Sequence, residues 1–347
     1  MHRLADTQTT RVSLSQGECE PTIPEPDNVG AADYLKDIGR GHAGARSLST
    51  ARAKTLFDQV FAGRLAAVEI GALMMALRIK GESVNEVQGA LLALDPFVRK
   101  VPVDANCPIV CIPTYNGARN IANLTPLLAC LLADNGVQVI VHGVRASPRR
   151  TTTMQIMQAM GIAPLQYIED AGDVFARRDP VFVPIELLSP ALARLLDLRW
   201  ILGVRNIGHT LAKLINPTQV TDCLRLVSYT HPEFDQLQHQ LLARSGANAL
   251  VMRGTEGEVV ANSRRKSRVD WLHHGISETV IEGDTIAARE LPSLPDSNAR
   301  TTAYWIRSVL AGESPVPSAI AQQVELILDL VRLAAPPPGS IRNTVPV

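Results

Sequence analysis

An apolar run and a polar loop meet in IVCIPTYNGARN, residues 109–120. The apolar part, Ile109 to Ile112, predicts a buried β-strand. A helix is expected from about Ile121 to Ala133, closed by Gly136, which suits the position just after a helix end. A second apolar run, residues 137–141, predicts the next strand. Strand, helix and strand within about 35 residues indicate a right-handed βαβ unit with parallel strands.

The loop after the first strand is a candidate anion site. Residues 113–120 follow the carboxyl end of a strand and precede the amino end of a helix. Backbone N–H groups and the helix dipole favour a negatively charged group at such a position. The alternative is an ordinary loop between a strand and a helix, and the segment alone leaves both open.

The composition fits a globular protein without a charge bias. The 347 residues are 46% hydrophobic, enough for a substantial core in one large domain or two smaller ones. Lys plus Arg and Asp plus Glu each number 34, so the overall charge does not favour nucleic acid, and the distribution of charge is the better test. The first 30 residues lack the apolar core of a signal peptide. No run of about 18 apolar residues predicts a membrane span.

The cysteines predict a cytoplasmic protein. There are five, an odd number, and their spacing matches neither a disulfide framework nor a metal site. Free thiols of this kind suit a reducing compartment. The cysteines are Cys19, Cys107, Cys111, Cys130 and Cys223.

The chain divides into helical and α/β segments. Residues 31–101 predict four short helices, one of them with Ser83 and Glu86 as a capping box. Strands and helices alternate over residues 102–185 and again over residues 225–335, which predicts a mainly parallel central sheet. Residues 1–30 and 336–347 are expected to be loose tails.

Several motifs together resemble the glycosyltransferase family 3 fold of anthranilate phosphoribosyltransferase. Pro113 to Arg119 and the segment Asn123-Leu124-Thr125-Pro126-Leu127-Leu128 are still more similar to its YbiB-type paralogues, which are nucleic-acid-binding proteins. His142, Gly143 and Arg145 match a Lys-His-Gly-Asn-Arg motif of the family. Arg205, Asn216 and Pro217 match a further segment. The resemblance covers about residues 31–335.

The resemblance implies an architecture and an assembly. Residues 186–224 would return to the helical part, so that a small discontinuous helical subdomain accompanies a larger α/β domain. In this family the helical layer also forms a homodimer contact. No membrane partner is implied.

The sequence departs from the enzymes where they bind phosphoribosyl pyrophosphate. The enzymes carry Gly-Thr-Gly-Gly-Asp-Gly where this chain has Pro113 to Ala118, and all four glycines are lost. Glycine lets a backbone approach a pyrophosphate closely, whereas proline removes a donor. Of the Asp-Glu pair that binds magnesium in the enzymes, Glu258 remains and Gly257 replaces the Asp; Glu256 could stand in for it.

These features predict a protein that binds single- or double-stranded DNA or RNA without sequence specificity. Lys and Arg contacts to phosphates would supply the affinity, and Tyr115 could stack on an unpaired base. We expect no cofactor, no resident metal and no catalytic residue in this reading. The candidate binding residues are Thr114, Tyr115, Asn116, Gly117, Arg119, Asn123, Thr125, His142, Arg145, Arg149, Arg150, Arg205, Lys213, Arg264, Arg265, Lys266 and Arg268.

Other interpretations remain open. The alternative function is phosphoribosyl transfer to a small aromatic acid, with Mg²⁺ held by Glu258 and the acid by Arg205. A charge run such as residues 264–268 is commonly a solvated face, and His142 is as well explained as a structural hydrogen-bonding residue. The pair His273-His274 is expected to be a surface pair rather than a metal site.

Overall fold

The structure is a computed structural model that describes residues 30–41, 43–262, 265–283 and 294–333. The two predicted tails therefore lie outside the described residues, apart from Gly30, and so does Arg264. Within the described residues no helix is long and apolar enough to cross a membrane.

The described strands form one seven-stranded sheet, in the order β3-β2-β1-β4-β5-β6-β7. The first five strands run parallel, and β6 and β7 form an antiparallel hairpin at one side. The mainly parallel sheet predicted from the sequence is thus confirmed, although the sequence analysis did not predict the hairpin. The strands are β1 (Ile109–Thr114), β2 (Gln138–Gly143), β3 (Val181–Pro184), β4 (Leu224–Tyr229), β5 (Ala249–Arg253), β6 (Val269–His273) and β7 (Ile276–Ile281).

The central βαβ unit is present with shifted boundaries. β1 extends through Pro113, which lies opposite His142 of β2. Proline is tolerated there because β4 pairs with β1 only as far as Cys111, so no ladder partner loses a donor. The helix after β1 begins at Thr125 instead of Ile121, since a proline at position 126 fits only the first helical turn.

The helices surround the sheet on both faces. One core cluster joins the N-terminal helices to one face of the sheet, and a second fills the other face. The helices are α1 (Ala31–Ile38), α2 (Thr50–Phe61), α3 (Ala67–Lys80), α4 (Val84–Leu94), α5 (Thr125–Asp134), α6 (Thr153–Ala159), α7 (Ala171–Ala176), α8 (Ile185–Leu188), α9 (Pro190–Leu202), α10 (Gly208–Leu211), α11 (Pro232–Arg244), α12 (Ala299–Leu310) and α13 (Ser318–Leu333).

The helical layer is built from two separate parts of the sequence. α10 packs against α4, and Arg194 of α9 donates to the carbonyl oxygen of Phe61 at 3.3 Å. The predicted capping box of α4 is confirmed, because the Ser83 hydroxyl accepts from the N–H of Glu86 and the Glu86 carboxylate accepts from the N–H of Ser83. Glu86 is fully buried and is also held by Lys80 at 2.7 Å, so this cap is part of the core.

Candidate functional site

Loops that follow the parallel strands β1, β2 and β5 meet at the carboxyl ends of these strands. We call residues 115–124, after β1, the β1 loop, and residues 254–258, after β5, the β5 loop. Two backbone hydrogen bonds between Ala118 and Thr151 hold the β1 loop against the segment that follows β2. The candidate anion site lies at this edge, as expected for the carboxyl ends of parallel strands.

A buried carboxyl group of the β5 loop binds the start of the β1 loop. The N–H groups of Asn116 and Gly117 donate to Oε1 of Glu258 at 2.9 and 2.6 Å. Burial raises the pKa of Glu258, while hydrogen bonds from Thr114 and these N–H groups and the charge of Lys213 act against that rise. The two donors that a bound anion would use are therefore satisfied within the chain.

A second carboxylate of the β5 loop binds the next part of the β1 loop. The N–H groups of Arg119 and Asn120 donate to Glu256 at 2.5 and 2.9 Å. The same carboxylate lies 3.7 Å from the guanidinium of Arg150. Together with Glu258 it places two carboxyl groups where a phosphate would have to bind the loop backbone.

Gly257 separates the two glutamates and is required by the side chain of Asn116. Its φ is +92°, and a Cβ atom added to it would lie 1.9 Å from Asn116 Nδ2. That amide donates to the carbonyl oxygen of Gly257 at 2.8 Å, and its oxygen accepts from Arg205 at 2.5 Å. Asn116 stands where the resembled enzymes have glycine, and Gly257 where they have Asp. The two replacements therefore depend on each other.

The residues around Glu258 do not fit a magnesium ion. Mg²⁺ is usually bound through one or two carboxylates together with substrate phosphates. Here the Asp is absent, and Oε1 of Glu258 is taken by two N–H groups, which leaves Oε2 as the single unpartnered carboxylate oxygen of this residue. The ammonium group of Lys213 lies beside this carboxyl group and donates to the carbonyl oxygen of Gly257 at 3.3 Å. Glu256, the stand-in considered from the sequence, holds the β1 loop instead.

Tyr115 and His142 form a buried pair under the β1 loop. Tyr115 is 5% exposed, and its hydroxyl lies 2.8 Å from Nδ1 of His142. Burial lowers the pKa of His142 to about 3, so this imidazole is neutral. The expected stacking of Tyr115 on a base is corrected, because its ring is enclosed by protein. His142 has the structural role considered from the sequence.

Three further candidate residues support the loop from within. The hydroxyl groups of Thr114 and Thr153 lie 2.5 Å apart, and the Asn123 amide donates to Thr153 at 2.9 Å. The side-chain oxygen of Asn123 accepts from the N–H of Thr125 at the start of α5. All four residues are buried. Their expected contact with a ligand is corrected to a structural role.

Three arginines share an open pocket at the surface, which we call the arginine pocket. Arg119, Arg149 and Arg150 line its volume of about 430 Å³, with Gln155 and Ser297 on its rim. Arg119 and Arg149 are exposed, whereas Arg150 also donates to the carbonyl oxygen of Gly117 at 3.0 Å. This pocket brings together three of the candidate cations.

Arg205 and Lys213 lie deeper than the arginine pocket. Burial lowers the pKa of Arg205 to about 10, and the charges of Arg199 and Arg150 add to this effect. Burial lowers the pKa of Lys213 to about 8. Its ammonium group donates to the carbonyl and hydroxyl oxygens of Ser228 at 3.2 and 3.3 Å. Lys213 therefore points into the protein and is not a surface phosphate contact.

Arg145 borders a separate cavity of about 230 Å³. Its Nε atom lies 3.5 Å from Oε2 of Glu186, so the two side chains form an ion pair. The guanidinium of Arg199 lies 4.9 Å from the ring of Trp200, which is 53% exposed and also lines this cavity. Tyr115, although buried, is among the residues that line this cavity.

The basic residues 265–268 are set apart from the arginine pocket. Both Nε and Nη2 of Arg268 lie 2.9 Å from Oδ1 of Asp270, a residue of β6. Arg265 and Lys266 line a small cavity of about 30 Å³ against α13. Arg119, Arg149 and Arg150 line a different pocket, so the two groups of basic residues border separate cavities.

Residues whose role depends on long-range contacts are not recognisable from the local sequence pattern. Glu256 was noted only as a possible metal ligand, yet it binds N–H groups 136 and 137 residues earlier in the chain. Arg199 and Trp200 lie in the last turn of α9, where the apolar pattern gives no sign of an exposed aromatic ring. A local pattern does not carry this information.

Comparison with known proteins identifies relatives over most of the chain. Residues 32–95 match the family model described as glycosyl transferase family, helical bundle domain. YbiB of Escherichia coli (strain K12) is 39% identical over 296 residues, 85% of this chain and 92% of YbiB. Anthranilate phosphoribosyltransferase of Beijerinckia indica is 28% identical over 81% of this chain and 82% of the enzyme.

Solved structures show the same fold. Anthranilate phosphoribosyltransferase from Thermus thermophilus has a TM-score of 0.67 and 24% identity, over 84% of this chain and 86% of that chain. The enzyme from Saccharomyces cerevisiae in complex with PRPP and Mg has a TM-score of 0.68 and 13% identity, over 87% and 88%. At these identities the likeness concerns the fold alone.

Proposed function

The chain belongs to glycosyltransferase family 3, which YbiB and the anthranilate phosphoribosyltransferases share, and we propose that it binds nucleic acid through the arginine pocket. The bound group would be the phosphate backbone of single- or double-stranded DNA or RNA. One observation carries the proposal: Glu256 and Glu258 already bind the β1-loop N–H groups. Arginine side chains are therefore the groups left to bind an anion at this edge.

The arrangement favours a polyanion over a single diphosphate. A diphosphate on the β1-loop backbone would have to displace two carboxyl groups and leave their N–H partners in a new arrangement. The arginine pocket is open, and Arg119 and Arg149, which come from the loops after β1 and β2, are exposed at it. Such side chains bind phosphate oxygens without reading bases, so the affinity is sequence-independent and falls with salt.

A homodimer would extend this surface. Val68 and Ile79 of α3 are 78% and 65% exposed. Eleven residues are close to three helical turns, so both project from the same face of α3. This apolar face supports the dimer contact through the helical layer that the family resemblance implies, and two arginine pockets would then serve one longer nucleic acid.

Phosphoribosyl transfer is the second candidate, and the comparisons favour it. The relatives include anthranilate phosphoribosyltransferases of Beijerinckia indica and Ralstonia nicotianae, and the fold is that of such an enzyme. Arg205, which matches the acid-binding arginine of the family, is retained beside the site. For this activity the β5 loop would have to leave the β1-loop N–H groups and release Glu258 for the metal.

One pair of measurements tests both candidates. Fluorescence anisotropy with labelled DNA of unrelated sequences, at roughly 50 and 200 mM salt, measures the number of phosphate contacts. We expect the triple variant Arg119→Ala, Arg149→Ala, Arg150→Ala to lower the slope of log affinity against log salt by about 1.8 for duplex DNA. This is the sum of the contacts of Arg119 and Arg149 at about 0.9 each, since Arg150 is paired with Glu256.

The matched control removes the same charge elsewhere. The variant Arg265→Ala, Lys266→Ala, Arg268→Ala also deletes three cations, and it should change the slope far less. An equal decrease of this slope in both variants would mean that net charge, and not the arginine pocket, governs DNA binding. If no DNA binds at low salt, product formation from phosphoribosyl pyrophosphate, anthranilate and Mg²⁺ that disappears in Arg205→Ala would establish the transferase.

A further inference from the structure

Two histidines and an aspartate meet at the opposite edge of the sheet from the arginine pocket. Asp222 lies just before β4, His273 ends β6, and His274 is in the turn between β6 and β7. One ligand atom from each lies within 4.8 Å of the others. Oδ1 of Asp222 and Nε2 of His273 are 3.2 Å apart. The sequence suggested only a surface pair of histidines, since Asp222 is 51 residues away from His273.

From this geometry we propose that Asp222, His273 and His274 bind a divalent transition-metal ion of the zinc type. Zinc takes imidazole nitrogen and carboxylate oxygen at about 2.0–2.2 Å, which separates neighbouring ligands in a tetrahedron by roughly 3.3 Å. The distance between Asp222 and His273 matches that separation. Three protein ligands leave the fourth position to water.

The ligands are held by neighbouring side chains. The ring of His273 stacks on the indole of Trp271, with centroids 5.0 Å apart and planes inclined by 12°. The indole N–H donates to the side-chain oxygen of Asn248 at 2.9 Å, and the Asn248 amide donates to the backbone carbonyl of Asp222 at 3.2 Å. Asn248 thus links the strand that carries His273 to the loop that carries Asp222, as supporting groups do around metal ligands.

The choice of ion follows from the donor set. Imidazole suits zinc, nickel and copper, whereas magnesium and calcium prefer sites made only of oxygen. A bound ion would join the edge hairpin of β6 and β7 to the segment before β4. It would do so at the amino ends of β4 and β5, so it should not compete with an anion at their carboxyl ends.

Zinc titration of the full chain against a fluorescent chelator tests the site. We expect one zinc ion per chain and no displacement by Mg²⁺ at the same concentration. Loss of a group that only supports a ligand typically lowers metal affinity about 10–100-fold, so His273→Ala should lower it by at least that factor. His274→Asn should do the same while keeping the fold, because Asn tolerates the left-handed backbone at φ 50°.

The control is His231→Ala, an exposed histidine at the start of α11. It should bind zinc as the unaltered chain does. Circular dichroism of each variant reports whether it is folded, and DNA affinity should be the same with and without zinc. Absence of zinc binding at micromolar concentrations, or binding that His273→Ala and His274→Asn leave unchanged, overturns the proposal.

Discussion

The dependence of Gly257 on Asn116 gives a quantitative prediction for Gly257→Ala. An alanine there must adopt a left-handed backbone at φ +92°, which costs about 1–2 kcal/mol. Its Cβ, 1.9 Å from Asn116 Nδ2, must also displace the Asn116 side chain. That displacement breaks the hydrogen bond from the Asn116 amide to the Gly257 carbonyl oxygen, which contributes about 1 kcal/mol. It also breaks the hydrogen bond from the charged Arg205 guanidinium to Asn116, which contributes about 1.5–3 kcal/mol. The expected loss of unfolding free energy is therefore about 3.5–6 kcal/mol.

The same substitution should be much milder when Asn116 is glycine. In Asn116→Gly the two hydrogen bonds are already absent and the space beside Gly257 is open. Gly257→Ala should then cost only the backbone strain, about 1–2 kcal/mol. The difference between the two costs, about 2.5–4 kcal/mol, is the interaction energy of a double-mutant cycle.

Urea unfolding followed by circular dichroism measures each cost from the midpoint, provided that the slope with denaturant stays constant. Gly161→Ala is the matched control, since Gly161 has φ +88° and no atom near its added Cβ. It should lose about 1–2 kcal/mol from backbone strain alone. If Gly257→Ala costs no more than Gly161→Ala, or costs the same with and without Asn116, the reasoning about this pair is refuted.

Three further predictions concern charge, pH and assembly. Glu256→Gln should raise DNA affinity up to about eightfold at 0.1 M salt, measured by anisotropy, because it frees Arg150 for one more phosphate contact; weaker binding would contradict this. His142 is neutral when folded, with a pKa of about 3, but titrates near 6.5 when unfolded. The contribution of neutral His142 to the free energy of unfolding should be fully present above pH 6.5 and fall by up to about 5 kcal/mol as the pH drops towards 3. Urea unfolding of His142→Asn at the same pH values should show a smaller loss of this free energy. Val68→Asp with Ile79→Asp should convert a dimer to a monomer in light scattering, and an unchanged mass would contradict a contact through α3.

The sequence predicted the elements whose pattern is local. Continuous apolar runs identified β1 and β2, because strands covered on both faces are apolar throughout. Ser83 and Glu86 identified the start of α4 in the same way, since a capping box lies within four residues. The hairpin of β6 and β7 was missed because β7 is largely exposed and has no apolar pattern.

The candidate site was predicted less well, because its residues are defined by distant partners. Arg119 and Arg268 look alike in the sequence, yet one lines an open pocket and the other is bound by Asp270. Tyr115 follows a strand end, where an exposed ring is a reasonable expectation, but His142 on the neighbouring strand supplies a buried partner for its hydroxyl. Which side chain faces solvent depends on the loops that pack over it, and these come from remote parts of the chain.

The contacts of the β5 loop explain why the lost glycines and the lost Asp belong together. Once Asn116 occupies the space beside Gly257, no side chain fits there, and the metal-binding Asp has no place. Glu258 then lacks the second carboxylate that would share a metal, and its Oε1 accepts from the N–H groups of Asn116 and Gly117. In the proposed function the positive charge offered to an anion therefore comes from the side chains of the arginine pocket instead of backbone N–H groups. Backbone N–H groups select a small anion by close fit, whereas long side chains accept phosphates at varied spacing, as a nucleic acid requires.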